Sequence, residues 1–289
     1  MATGTRQKAR GGARRARLRE QLMQDSRDAA REIIAAGGLS GLTVTAVAGK
    51  VGVTPAALYR YFDGKRGLVR ALYGDITAEL ISTVQAAVDY QDPDDLSAKL
   101  HAATHAVLVW SVAHPGEFSL LMGAGFPEAT ESGEEIPEAI SRELGGLFAK
   151  LFAELVRRRL LDGEVDERVP EDLRNQLVVY QQAVSPGLPL GAIRAMMYCW
   201  RQIYGLISMA VNHHLAFAFD DGYEATFEDM MADLLPKLGV LPSPKRRYVE
   251  LGRDQPAVAE RPRGDEIPGT AGDPPQDSNL RPRSIAQAG

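Results

Sequence analysis

Apolar residues recur at three- and four-residue steps along most of this chain, and the alternation expected of strands is nearly absent. From about Glu20 to Ala36, Leu22, Met23, Ala29, Ala30, Ile33 and Ile34 mark one helix, which Gly37-Gly38 stops. Val44, Val47, Ala48 and Val51 then fall at i, i+3, i+4 and i+7, one face of a short helix capped by Thr43 and broken at Gly52. Thr54 and Pro55 start the next helix, where the missing proline N–H costs nothing, and Leu58 and Phe62 point at the core. A boundary at Asp63-Gly64 precedes a long helix from near Lys65 that carries Leu68, Val69, Leu72, Tyr73, Ile76 and Leu80.

The same period predicts helices over Leu96–His114, Gly116–Met122, Ile136–Leu161, Glu171–Val184, Pro189–Ala216 and Tyr223–Leu238, with breakers such as "DYQDPDD", "HPGE" and "SPGLP" between them. The expected fold class is therefore all-α. Residues 1–19 are basic and poor in large apolar residues, which predicts a mobile arm with no core of its own. Residues 242–289 turn to Pro, Gly, Asp and Arg and predict a disordered tail. Between them lie two expected parts, residues 20–66 and residues 67–241.

Two short helices joined at a glycine after a longer first helix form a helix-turn-helix. Such a unit holds one helix so that its exposed face enters the major groove. Charge supports a polyanionic partner, although the 289-residue chain has a net charge of −5. Met1–Arg70 holds 14 Lys/Arg against 5 Asp/Glu, a net of +9, which leaves 19 against 33 in the remainder, a net of −14. A basic front on an acidic body suggests that only the front meets nucleic acid.

"LTVTAVAGKVGVTPAALYRYFDGKRGLVRAL", Leu42 to Leu72, resembles the DNA-binding segment of the tetracycline-repressor (TetR) family. It supplies the Leu42-Thr43 opening, the turn from Ala48 through Gly52-Val53, the set Leu58-Tyr59-Arg60-Tyr61-Phe62, and Lys65. "AHPGEFSLLMG" and "CWRQIYGLISMAVNHHL" are similar to two C-terminal segments of a subgroup with a W-x-x-x-H-G signature, with Tyr204 where histidine is usual. The resemblance implies a homodimer on a double-stranded DNA operator, more readily a repressor than an activator. It puts Tyr59, Tyr61 and Lys65 at phosphate-contacting positions, with Thr43 and Thr54 adding hydroxyl and helix-terminal contacts. Thr45, Pro55, Ala56, Ala57 and Arg60 face the groove. Arg60 is the candidate for a bidentate guanine contact, with a phosphate contact as the alternative. For Tyr59 and Tyr61 the alternative is packing against the first helix.

The resemblance also implies that the last two helices pair with those of a second copy. Their apolar load, from Ile193 to Leu235, exceeds what one helix face needs. The middle helices would enclose a pocket for a small, mostly apolar effector. Its candidate walls are Trp110, Phe118, Met122, Phe126, Phe148, Phe152, Tyr180, Met196 and Tyr204, with His114 and Gln181 as polar contacts. The same residues at helical spacing also suit an ordinary core.

Other chemistry finds little support. His101 and His105 have a metal-ligand spacing, but no carboxylate partner is evident in the sequence, so no metal and no cofactor is expected. There is no phosphate-cradling glycine loop and no nucleophile elbow, so an enzyme is not expected. One cysteine, no 18-residue apolar run and no signal-peptide core predict a cytoplasmic protein that keeps no contact with a membrane. Two other classes compete with a ligand-responsive repressor. One is an architectural DNA protein, which would protect DNA broadly. The other is a regulator or activator whose body binds a protein, which would have a filled core. Arg14, Arg15, Arg17 and Arg19 either reach an adjacent minor groove or add nonspecific attraction.

Overall fold

The computed structural model describes residues 2–123, 136–161, 169–214, 217 and 223–241, and every regular element among them is helical. The N-terminal end consists of α1 (Ala2–Gly37), a 3-10 turn (Leu39–Gly41), α2 (Val44–Val51) and α3 (Pro55–Leu58). The body consists of α4 (Gly64–Asp89), α5 (Leu96–Ala113), α6 (Pro115–Met122), α7 (Ile136–Arg157), α8 (Glu171–Val184), α9 (Leu190–Val211) and α10 (Tyr223–Lys237). The tail expected over residues 242–289 lies outside the described residues.

Three boundaries differ from expectation. The seventh helix stops at Arg157 rather than Leu161, and the ninth at Val211 rather than Ala216. The larger difference is α1, which begins at Ala2 where a mobile arm to residue 19 was expected. Once the packed part from Leu22 onward is helical, each further residue adds one hydrogen bond without a new nucleation cost. The Ala, Arg, Lys, Gln and Leu of this stretch are good helix formers. The other half of that expectation concerned the core, and none of residues 14–21 is buried.

The helix-turn-helix closes on Ala30, Ile34, Leu42, Val47, Ala48, Leu58 and Phe62, all buried. The α2–α3 turn needs Gly52, whose φ of 77° lies in the left-handed region that other residues rarely adopt. Lys50 ties α2 back to α1 through Glu32 at 2.6 Å. Helix α4 runs through the expected boundary at residue 66, so the N-terminal end and the body share one helix. It buries Leu68, Val69, Leu72, Tyr73, Ile76 and Leu80. Helix α5 packs along it and is surrounded by α6, α7, α9 and α10, which is why apolar residues cover most of its circumference.

One polar cluster joins four helices. Arg31 of α1 meets Glu79 of α4 with both terminal nitrogens, at 2.5 and 2.9 Å, and Glu117 of α6 through Nε at 2.9 Å. The Trp110 indole of α5 donates to the same Glu79 at 3.1 Å. Glu117 is buried, and Arg31 gives its carboxylate a counter-charge. Beside it, Gly116 lets α6 lie directly on α1, since a Cβ there would stand 3.0 Å from the Ala35 Cα and the Ile34 carbonyl oxygen.

Arg31→Ala leaves the buried Glu117 carboxylate without its cation, and a loss of about 1.5–3 kcal/mol in urea denaturation is expected. Hydrogen bonds from Arg31, more than those from Trp110, hold the Glu79 carboxyl below its ordinary value of 4.5. Its contribution is therefore present above that pH and lost as pH falls through the lower, folded-state value. Glu79→Gln is expected to flatten the stability profile in that acid range.

Candidate nucleic-acid interface and ligand cavity

The exposed side of α2 and α3 is built from short residues and two caps. Thr43 caps α2, its Oγ1 accepting from the Ala46 N–H at 3.0 Å, which leaves the hydroxyl proton to donate outward. Thr54 caps α3 without a side-chain bond, and Pro55 follows at the first helical position. Helix α3 proper is a single turn, but Tyr61 and Phe62 both bond back to the Leu58 carbonyl at 2.9 Å and carry the helical path onward. Thr45, Thr54, Pro55, Ala56 and Arg60 are exposed, while Ala57 and Lys65 are half-buried. No carboxylate occurs between Glu32 and Asp63, so the face offers an anion no repulsion over that span.

The two tyrosines part company. Tyr59 is 61% exposed. Tyr61 is half-buried against the core, with the Arg19 guanidinium 5.3 Å from its ring centre. Packing on the first helix thus describes the position of Tyr61 and not that of Tyr59.

In the body, α6, α7, α8 and α9 line a partly open cavity of about 330 Å³. Of the expected wall residues, Met122, Phe148, Phe152, Tyr180, Met196 and Tyr204 line it. Four do not. Trp110 turns away to Glu79, and His114 stacks on Trp110 and donates from Nδ1 to its carbonyl. Phe118 is core beside Tyr204, and Gln181 donates to the Leu188 carbonyl at 2.6 Å. Phe126 lies outside the described residues.

The sequence reading missed Leu121, Ile140, Ser141, Leu144, Gly145, Met197, Cys199, Trp200 and Ile203. Most of the α9 set was within reach. Met196, Cys199, Trp200, Ile203 and Tyr204 stand at i, i+3, i+4, i+7 and i+8, a single stripe. Gly145 is small because a Cβ would sit 3.2 Å from the Tyr180 hydroxyl. Among the described residues the lining holds no charged side chain; its polar groups are the hydroxyls of Ser141, Tyr180 and Tyr204, the thiol of Cys199 and the indole N–H of Trp200. The Tyr204 hydroxyl donates to the Met122 carbonyl at 2.6 Å, which ties α9 to the last residue of α6.

Two further expectations change. His101 and His105 do have carboxylate partners, Glu228 at 2.9 Å and Glu224 at 2.9 Å, both supplied by α10. These pairs lace α5 to α10 around Phe227. Among the described residues no three such groups converge on a metal position. Of the apolar load of the last two helices, Ile193, Ile203, Ile207, Phe227, Met231, Leu234 and Leu235 are buried within one chain, while Met197, Trp200, Tyr204, Met209, Val211 and Met230 are half-buried. Among the described residues no helix is long and apolar enough to cross a membrane.

A positive, carboxylate-free helix-turn-helix on a helical body with a cavity defines a DNA-binding transcriptional regulator. Residues 27–72 match the family model for bacterial regulatory proteins of the tetR family, and residues 100–234 match that for a tetracyclin repressor-like C-terminal domain. The chain belongs to the TetR family. It is 27% identical over 211 residues to an HTH-type transcriptional regulator of Mycobacterium tuberculosis, covering 71% of this chain and 86% of that protein. It is 31% identical over 124 residues to the nucleoid occlusion factor SlmA of Marinobacter nauticus, a match spanning 43% of this chain and 58% of that relative. The crystal structure of regulatory protein SCO4313 superposes with a TM-score of 0.59 at 26% identity, over 76% of this chain and 98% of that one.

Cys199 reports on the cavity wall. Burial pushes its thiol up to about 11, so at pH 8 only about one molecule in a thousand is thiolate. A thiol reagent is expected to label it at least about a hundredfold more slowly in the native protein than after unfolding. Rapid native labelling would show that the wall is open to water.

Proposed function

We propose that this regulator is a homodimeric, cytoplasmic repressor that binds a pseudo-palindromic operator and releases it when an uncharged, mostly apolar effector enters the cavity. One observation carries the proposal: α6 supplies wall to the cavity at one end and is bolted to α1 at the other. Leu121 and Met122 face the cavity, while Glu117 and Gly116 grip Arg31 and the Ala35 backbone. An effector that breaks the Tyr204–Met122 bond or wedges α6 outward pulls on the helix that supports the reading unit. In a dimer the two α3 helices must stand about 34–36 Å apart to read adjacent turns of one DNA face. A shift of either one lowers affinity. The effector acts only through its differential affinity for the two arrangements.

The lining also narrows the effector. With no ion pair available, burying a charged ligand would cost several kcal/mol. Aromatic and methionine walls with a few hydroxyls suit a flat or flexible apolar molecule carrying one or two hydrogen-bonding groups.

In the interface, Tyr59 and Lys65 hold phosphates, with Thr43 and Thr54 beside them and Tyr61 seated closer to the core. Thr45, Pro55, Ala56, Ala57 and Arg60 face the bases. Selection from a random duplex pool should recover a two-fold-related sequence protected as a short footprint. Arg60→Ala is expected to relax discrimination at one base pair per half-site by about 1–3 kcal/mol. An equal loss on every sequence would make Arg60 a phosphate contact instead.

The effector half is checked by calorimetry on the full chain with and without the selected duplex. Weaker effector binding to the DNA complex is expected, and equal affinity would sink the coupling. Gly145→Leu, which fills the cavity beside Tyr180, should abolish effector binding and leave operator binding in place.

A further inference from the structure

Helix α1 begins with a basic stretch ahead of the part that packs on the core. None of residues 14–21 is buried, and the first side chains to pack on the core are Leu22 and Met23. Gly11 and Gly12 lie within this stretch, each costing about 1 kcal/mol relative to alanine in a helix. Residues 1–19 contain seven Lys/Arg and no carboxylate; the first acid is Glu20.

The helical period sorts the described arginines onto two sides. Arg15 and Arg19, four apart, share one face; Arg14 and Arg17, three apart, share the opposite one. The contact of Arg19 with the Tyr61 ring fixes which face turns toward the helix-turn-helix. The Arg15–Arg19 face therefore turns toward the segment that carries Arg60, Tyr61 and Lys65. The opposite face points away from it.

We propose that the Arg15–Arg19 face of α1 is a second phosphate-gripping surface, lying on the DNA backbone just outside the half-site that α3 addresses. This rests on the DNA-binding reading given above and extends it. Charge complementarity selects the partner. A lipid surface would need an apolar face to insert, whereas Met1 and Leu18 are the only large apolar residues in the first nineteen. A duplex needs only regularly spaced cations on a rigid rod, and a helix whose one face is fixed at Arg19 provides that. The contact adds affinity and footprint length without adding sequence choice.

The test uses the full chain and a duplex that it recovers from a random pool, with affinity followed by anisotropy across a salt series. Arg15→Ala/Arg19→Ala should lower the slope of log K against log salt by about 1.8, at about 0.9 per phosphate released. Arg14→Ala/Arg17→Ala should leave the slope unchanged, and Arg15→Lys/Arg19→Lys should keep it. All four residues face solvent, so thermal midpoints should stay close to that of the unsubstituted chain. Three results would overturn the proposal: an unchanged slope for the Arg15/Arg19 pair, an equal fall for both alanine pairs, or tighter binding. The second would mean diffuse attraction, and the third an arm that closes on the protein's own acidic body. Recovery of no duplex at all is a different failure, that of the DNA-binding reading itself.

Discussion

The guanidinium of Arg31 clamps α1 to α4 and α6 of the body. A helix-turn-helix of this size has a small core, and α1 must be held by something else if the reading helix is to keep its aim. Its planar fork meets carboxylates from two helices at once, bidentate to Glu79 and single to Glu117. A lysine ammonium could donate to both carboxylates but could not hold Glu79 in that bidentate pairing. Because Glu117 is buried, the bond cannot simply trade places with water, and separating α6 from α1 exposes an uncompensated charge to an apolar surrounding. The joint is thus stiff in this geometry and costly to separate.

That stiffness sets the scale of the proposed response. Allosteric couplings amount to about 1–3 kcal/mol. A hydrogen bond to a charged group contributes about 1.5–3 kcal/mol. Loosening a single arm of the cluster is therefore enough, and the effector need not unfold or rebuild the body. The Tyr204–Met122 bond stands at the opposite end of the same short helix. Tyr204 occupies the place where the resembling subgroup has histidine, and here its hydroxyl still reaches the α6 backbone.

The reading unit was legible in the sequence because its signals are local. Caps, Pro55 at the first helical position, Gly52 in the turn and the Leu58–Phe62 step each act within a few residues. The cavity was legible only where helical period alone decides the side. It gave Met196 and Tyr204 but misplaced Trp110, whose orientation follows from Glu79, thirty-one positions earlier on a different helix. The His101 and His105 partners on α10 were invisible for the same reason, since more than a hundred residues separate them. For α1, composition spoke for the side chains and not for the backbone. A basic, coreless stretch is exposed as expected, yet a helix already nucleated by its packed half extends through it.

The distribution of charge follows from the same division. The net charge of +9 over Met1–Arg70 is carried mainly by residues 1–19, which hold seven Lys/Arg and no carboxylate. An acidic body offsets that charge overall while leaving the local field at α2 and α3 positive. Glu32 and Asp63 bracket the unit, and between them the only charged side chains are Lys50 and Arg60. Lys50 is spent on Glu32, which leaves Arg60 as the cation on the groove side. On the proposed reading, Ala56 and Ala57 beside it let the backbone approach the bases, so that one arginine fork, rather than a diffuse basic surface, discriminates. Affinity from phosphates and selectivity from the groove are on that reading assigned to different residues, which would let either change without loss of the other.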